Sequence, residues 1–527
     1  MRSYGAASDS EIPGEPVVSQ VGSSCRSLFP SVALVGVFAL VFFGGNSPTY
    51  ERFTAEKSLE THRPPGHDSD SHRDMNNVTL NRSYATAVID DVVYEKYEIE
   101  LAEIPVIKEF IRREGGVLPE TVELFLNRNL THGSIGEQAA GGYVAVSLAH
   151  GNYGTGAINA TYTLVMDLEG NVAAAQVAPT FTTLGKQEFI RYEGLKLKHT
   201  DTLLLAANEN LDGGGFFEWN WHKASVQNAT LEPMPINATF NGSSHDIQYY
   251  HEENAYLVIN NGLDKVYLYD HNGKELWKYT AIEIDQPRSI HFNHAQLTRD
   301  ANNELAVFLS VRDYNAIQKV NFTTGHLIWT LGGTDGQFDL YDLDGRHYPA
   351  GSGHNPFTHQ HNAEYIGLNR FAMFDNGYNG SIVRNSRMMI MEVDEEAMTA
   401  NVTWQYDVGT TSNIFGDCDV LPTGNAVGTF WPYRVHKLGK DIRGTYEASA
   451  VEVVPDGRIA WMMGVKGAHG GSKPYDRYNG EAPIGWAMYS IERFYTDMIV
   501  TDIRYDHDRS ADAFVTHSCC AHVSFSS

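Results

Sequence analysis

The chain has 527 residues, 42% hydrophobic and 11% aromatic, a globular composition too long for one ordinary core unless the architecture repeats. Lys and Arg total 39 against 65 Asp and Glu, a formal charge of -26. That excludes a nucleic-acid partner and means that any anionic ligand must be held by specific local donors. The 4 cysteines, Cys25, Cys418, Cys519 and Cys520, are too few for a disulfide scaffold, and Cys519–Cys520 reads as an adjacent pair in a loose tail.

Residues 1–27 are polar and rich in Gly, Ser and Pro, a disordered cytoplasmic tail. Leu28–Gly45 (LFPSVALVGVFALVFFGG) is an apolar run of about 18 residues, near the minimum for a membrane span. It reads as a signal anchor, with a cleaved signal peptide as the alternative; either sends the body into the secretory-pathway lumen or outside the cell. Asn-x-Ser/Thr sequons at Asn77, Asn81, Asn129, Asn159, Asn228, Asn237, Asn241, Asn321, Asn379 and Asn401 all follow that run, as a lumenal glycoprotein requires. Residues 46–83 form a stalk, and 84–141 an extension with two predicted helices, Ile104–Arg113 and Pro119–Asn129, the second opened by a proline in its first turn.

From 142 to 497 the pattern changes to short alternating strands with Gly and Asn turns, and it repeats. A turn leads to Gly-x-x-x-Trp at Gly273–Trp277, Gly325–Trp329 and Gly457–Trp461, with a degenerate copy at Ala400–Trp404 and a first copy at Gly170–Ala174. Phe216–Trp221 (FFEWNW) marks a further strand end. Six units of roughly 45–75 residues match the period of four-strand propeller blades, with the aromatic of each unit packed between neighbouring sheets. The expected fold is therefore all-β, a six-bladed β-propeller, followed by a tail at 498–527; a pair of β-sandwiches is the alternative.

The first strand of each blade lines the channel, so the openings of successive blades converge. Those openings carry His245-Asp246 (SSHDIQYY), His294 (HFNHAQL) and His361 (THQHNAE), and Arg312 (FLSVRDYNA) ends the strand after His294. His361–Ile366 and Arg370–Phe374 are predicted as a hairpin about Gly367–Asn369, with His359 and His361 on one face and Gln360 opposite. Three imidazoles and a guanidinium at one channel mouth suit a metal, a tetrahedral oxyanion, or a nucleophile with its acid and base. Arg312 disfavours a divalent cation and its planar fork of donors favours sulfate or phosphate oxygens, so neither a metal nor a cofactor is expected. Asp339, Asp342 and Asp344-Gly345 (DLYDLDG) lack the spacing and the later Glu of a calcium loop and read as a solvated turn.

The run FNHAQ…FLSVRDYNAIQKVNFTTGHLIWTLGG, then THQHNAE…FAMFDNG…SRMMIMEVD…WQY and the later GWAMYSIERF, resembles the arylsulfotransferase family, over roughly His245 to Phe494. These are propeller enzymes that transfer a sulfuryl group between phenols without a nucleotide sulfate donor. The resemblance implies a nucleophile at His361, passing through a sulfohistidine with ping-pong kinetics, and sulfuryl-binding groups at His294, Arg312 and His245. The partners it implies are a small sulfate ester and a hydroxyl acceptor. The apolar segment and the sequons suggest a eukaryotic, membrane-anchored branch, whose acceptors need not be phenols. His354 and His359 add imidazoles without an implied role. Two alternatives stand beside this: a non-catalytic anchored propeller that binds glycans or proteins, and a quinoprotein-like oxidoreductase, whose repeats also end in Gly-x-x-x-Trp.

Overall fold

A computed structural model describes residues 85–495 apart from 133–141, 153–156, 179, 184–185, 208–215, 222–231, 234–242, 261, 282–289, 381–383, 436–441, 468–474 and 477–483. The chain divides into units 1–69 and 70–527, the first wholly outside the described residues. The apolar run 28–45, the tails, Cys25, Cys519 and Cys520 also lie outside them; among the described residues no helix is long and apolar enough to cross a membrane.

Alternating apolar residues over short runs build antiparallel sheets of the propeller kind. Blade 2 is Tyr192–His199, Thr202–Ala207, Phe216–Asn220 and Glu232–Pro233; blade 3 is Ser243–Tyr250, Ala255–Asn260, Lys265–Asp270 and Glu275–Thr280. Blade 4 is Phe292–Arg299, Leu305–Val311, Ala316–Asn321 and Leu327–Gly332. Blade 5 is His361–Tyr365, Arg370–Asp375, Arg387–Asp394 and Thr399–Asp407, extended by Asp339–Tyr341 and His347–Tyr348. Blade 1 joins distant parts of the chain: Ile484–Ala487 and Ile491–Phe494 both pair with Tyr143–Asn152, which continues to Ala157–Met166 and Val172–Val177.

Five blades, not the expected six, take this form. Where the sixth is expected, Asp419–Val420, Ala426–Phe430, Ala448–Val453 and Ile459–Lys466 run on without a break into Thr121–Leu126, Val92–Ile99 and Ala85–Ile89, a seven-stranded sheet. Thr121–Leu126 pairs along Ile459–Lys466 and covers the edge that a blade would leave open. The same pairing overturns the helix predicted over Pro119–Asn129. Val122, Leu124, Phe125 and Leu126 are buried on both faces of a central strand, and only the four residues Arg128–Thr131 are helical. The other predicted helix forms one residue later, Pro105–Glu114, with Pro105 at its first turn and Gly115 (φ 72°) ending it.

The Gly-x-x-x-Trp repeats turn the chain at positive φ: Gly273 and Gly325 lead into the outermost strand of their blades, and Gly457 into Ile459–Lys466, which the added Thr121–Leu126 makes an interior strand. Trp329 packs with Phe338, Phe371 and Tyr365, between blades 4 and 5. Trp461 joins Tyr162 and Trp486 between the seven-stranded sheet and blade 1. Burying these rings removes on the order of 150–250 Å² of apolar surface each from water, and this inter-sheet packing is what holds the channel in register.

Candidate active site

Three inner strands begin with a register break. The pairing shifts between Ser243 and Ile247 in blade 3, between Phe292 and His294 in blade 4, and between His361 and Glu364 in blade 5. At each break the ladder is interrupted and the strand twists, which turns a histidine out of the sheet toward the channel. His245 (φ 62°), His291 (φ 54°), His359 (φ 58°) and Asn362 (φ 47°) all adopt left-handed backbone there, a conformation costly for non-glycine residues and concentrated at functional sites. His361 starts its strand, as expected; His359 precedes it, so the two rings meet at 5.9 Å through this backbone turn and not through strand alternation. Gln360 points the opposite way, buried, and donates through Nε2 to Ala316 O at 2.9 Å.

Each imidazole has its own partner. His245 Nδ1 stands 3.2 Å from Glu193 Oε2, while its Nε2 meets Nε2 of His291 at 3.0 Å. His294 Nδ1 stands 2.9 Å from Asp246 Oδ2, and its Nε2 is buried with no hydrogen-bond partner among the described residues. His361 Nδ1 faces Asn376 Oδ1 at 2.7 Å and His359 O at 3.2 Å. Arg312 opens a short 3-10 turn in which its backbone N–H donates to His291 O at 3.1 Å and its Nε to Asp313 Oδ1 at 2.9 Å. The Tyr489 ring lies between the sides, 5.6 Å from His245 and 5.8 Å from His361, and its buried hydroxyl has no hydrogen-bond partner among the described residues.

Burial and positive charge keep His245, His291, His359 and His361 neutral. His361 is held well below the usual histidine range by burial, then by Arg312 and His359. Burial brings His245 down to about 4 against the pull of Glu193, and burial with Arg312 brings His359 to about 3. His291 is lowered by burial, His245 and Arg312. The recurrence of Arg312 among these causes puts its charge within reach of the whole group. Burial works against Glu193 and Asp246 as anions, yet Arg191 with His245, and His294, hold the two carboxyls below their ordinary values.

A belt of polar contacts runs round the channel from sheet to sheet. Asn293 Nδ2 donates to Gln360 O at 2.7 Å, Asn362 Nδ2 to Asp419 Oδ1 at 3.1 Å, and Ile491 N to Asp417 Oδ2 at 3.0 Å. Ser490 Oγ closes it, donating to Glu193 O and accepting from Leu195 N, both at 3.1 Å. Beneath lies Lys196, 3.4 Å from Glu492 Oε1 and 3.8 Å from Asp419 Oδ1, beside a cavity of about one water's size lined by His245, Asp246, Asp417 and Tyr489. Among the described residues no group of His, Cys, Asp and Glu is arranged to hold a metal ion.

Of the four sequence-derived residues, His245, Arg312 and His361 come within electrostatic reach of one another, while His294 lies fully buried against Asp246, the chain neighbour of His245. Residues 290–455 match the arylsulfotransferase (ASST) family profile, a span that includes His294, Arg312 and His361 and leaves out His245. Over that span, about a third of the chain, the sequence is similar to the arylsulfotransferases. No curated protein matches the sequence. Solved structures similar to it include a Bacteroides caccae protein of unknown function (8% identity, 66% of this chain and 99% of that one, TM-score 0.33) and a Lactobacillus plantarum protein (15%, 66% and 99%, 0.31). A nidogen/laminin complex is similar at 10% identity, over 66% and 98%, with a TM-score of 0.32. At such scores nothing of their chemistry transfers to this chain.

Five further residues at the site escape a reading by motif. Asp246 stands beside His245 in the sequence, His291 three residues before His294, and Asn376 inside FDNG, but no local signal shows which of them faces an imidazole. Glu193 and Tyr489 are separated from their histidine partners by tens or hundreds of residues and become visible only when the channel closes. His354 is exposed in a loop, and the Asp339–Gly345 stretch is a turn in which Asp342 pairs with Arg387 at 3.0 Å.

Proposed function

We propose that this chain is a nucleotide-independent sulfotransferase that moves a sulfuryl group from an aryl sulfate ester to a phenolic or other hydroxyl acceptor through a sulfohistidine at His361. The observation that supports this reading is that His245, His361 and Arg312, buried or half-buried, come within electrostatic reach of one another around the Tyr489 ring, with His294 buried against Asp246 beside His245. A neutral imidazole supplies a lone pair to sulfur; the N–S bond forms as the S–O bond to the aryl group breaks and the phenolate departs with that electron pair. Charge spread over the sulfuryl oxygens is met by donors from Arg312, His245 and His294. In the second half the acceptor oxygen attacks sulfur, its proton passes to His294, and the N–S bond returns its electrons to His361. We also propose that the apolar run 28–45 anchors the chain with its body in the lumen or outside; the exposed sequon asparagines Asn129, Asn159, Asn379 and Asn401 support this.

The test is incubation of the full chain with 4-nitrophenyl sulfate and no acceptor, followed by intact mass. An added sulfuryl group of about 80 Da, absent from His361→Asn and discharged by a phenol, is the expected result. No adduct and no nitrophenol release, from this donor or from a panel of carbohydrate sulfates, defeats the reading.

A further inference from the structure

The histidine proposed as nucleophile has two ring nitrogens, and the surroundings treat them differently. Nδ1 faces two oxygens, Asn376 Oδ1 at 2.7 Å and the His359 carbonyl at 3.2 Å. A carbonyl oxygen only accepts. The Asn376 amide is oriented by its other end: its Nδ2 donates to Ser412 O at 2.7 Å and to Phe415 O at 2.8 Å, using both hydrogens on backbone carbonyls. A flipped amide would set an oxygen against those two carbonyls and strand both, which buried groups do not tolerate. The oxygen is therefore the atom turned to His361, and Nδ1 must carry the hydrogen that lies between them. Among the described residues the ring hydrogen bonds of His361 are both on Nδ1, and none falls on Nε2.

We infer that Asn376 is a positioning residue that fixes the proton of His361 on Nδ1 and leaves the lone pair of Nε2 as the attacking atom, a role that rests on the sulfuryl-transfer reading above. The sulfuryl group then joins Nε2: the N–S bond forms there, the S–O(aryl) bond breaks, and the Nδ1 proton stays in its bond to Asn376 through both halves of the cycle. An amide suits this better than a carboxylate would. It orients the ring without adding a negative charge, which would raise the basicity of the imidazole and protonate the lone pair needed for attack. Asn376 is itself fully buried, and its backbone carbonyl accepts from Ser386 Oγ at 2.6 Å, so main chain and side chain are both held.

The experiment reads the tautomer directly. In full-length chain labelled with 15N-histidine, the His361 ring, assigned by its loss in His361→Asn, is expected to show a protonated Nδ1 and a bare Nε2 near neutral pH. Asn376→Ala is expected to mix the two tautomers and to slow adduct formation from 4-nitrophenyl sulfate at least thirtyfold. Ser386→Ala loosens the same pocket, where its Oγ also meets Ser412, but leaves the amide–imidazole bond in place. It is expected to keep the tautomer and to stay within about threefold of the parent rate. A protonated Nε2 in the parent chain overturns the assignment, as does an Asn376→Ala variant that keeps the parent tautomer, or a loss of rate that Ser386→Ala reproduces. A parent chain with the expected tautomer and no adduct instead defeats the transfer reading and leaves the orientation of the ring standing.

Discussion

His245 and His359 stay neutral because charging them means desolvating a cation beside Arg312, and this has a cost that grows with acid. An unfolded histidine titrates near 6.5, whereas folded His245 titrates at about 4 and His359 at about 3. Between those values the unfolded chain binds protons that the folded chain refuses, so stability is complete above about pH 6.5 and is lost as the pH falls toward 4. His245 alone represents on the order of 3 kcal/mol across that window. Thermal unfolding followed from pH 8 to pH 4 is expected to show a midpoint that is flat above 6.5 and falls below it, with a shallower fall in His359→Gln. Adduct formation at His361 is expected to stay level as the pH drops from 8 to 5, because its lone pair is not protonated there; a rate that halves near 6.5 would count against a buried, neutral nucleophile. The sequence exposed these histidines because the blade repeat gives their spacing a meaning. It could not expose Asn376, Glu193 or Asp246 as partners, since an amide or a carboxylate near a strand start is commonplace and only the geometry shows which imidazole it faces.

At the level of the element, the bulged starts of the inner strands are what aim the side chains, and they need room. Gly194, on the inner strand of blade 2, passes so close to blade 3 that a Cβ there would stand 2.9 Å from both Asp246 Cα and His245 O. Neither backbone atom yields cheaply. Gly194→Ala is expected to cost about 1–3 kcal/mol of stability by overpacking and to lower adduct formation at least tenfold by displacing His245 and Asp246 together. A Gly194→Ala protein with parent activity would show that the bulge of blade 3 is not held by its neighbour. The strand alternation and the Gly-x-x-x-Trp turns are enough to read a repeated all-β, propeller-like architecture from the sequence, with one blade too many. The hairpin His361–Tyr365 and Arg370–Asp375 fell within one residue of its predicted bounds. Thr121–Leu126 was misread because proline followed by acidic residues is a helix-start signal, while its strand pairing with Ile459–Lys466 comes from residues more than three hundred positions away. That same distant pairing merged the expected sixth blade into the seven-stranded sheet, which no local period announces.

Across the whole molecule, the channel is held by charge as well as by packing. Lys196 sits among Glu364, Asp417, Asp419 and Glu492, brought there from blades 2, 5 and 1 and from the seven-stranded sheet. Burial opposes its charge, but Asp419 and Glu492 hold the ammonium in place, while burial and Asp419 push the Glu364 and Asp417 carboxyls well above their usual range. Lys196→Met strands the carboxylates and is expected to cost about 3–5 kcal/mol. The deficit should shrink on acidification from pH 8 to pH 5, since carboxyls raised above their unfolded values gain stability as they take up protons. Equal losses at both pH values, by denaturant titration, would mean that the lysine is not the neutralising charge. Deleting the chain after residue 483 removes the strands that close blade 1, together with Tyr489 and Ser490, and is expected to abolish cooperative unfolding by calorimetry.

That closure also sets a schedule for synthesis. A ribosome makes Tyr143–Asn152 early and Ile491–Phe494 late, and the ring exists only once the second has found the first. A nascent chain can therefore contain His245, His294, His361 and Arg312 and still have no closed ring around them. The channel is complete only when Ile491–Phe494 has been made and has paired back onto Tyr143–Asn152.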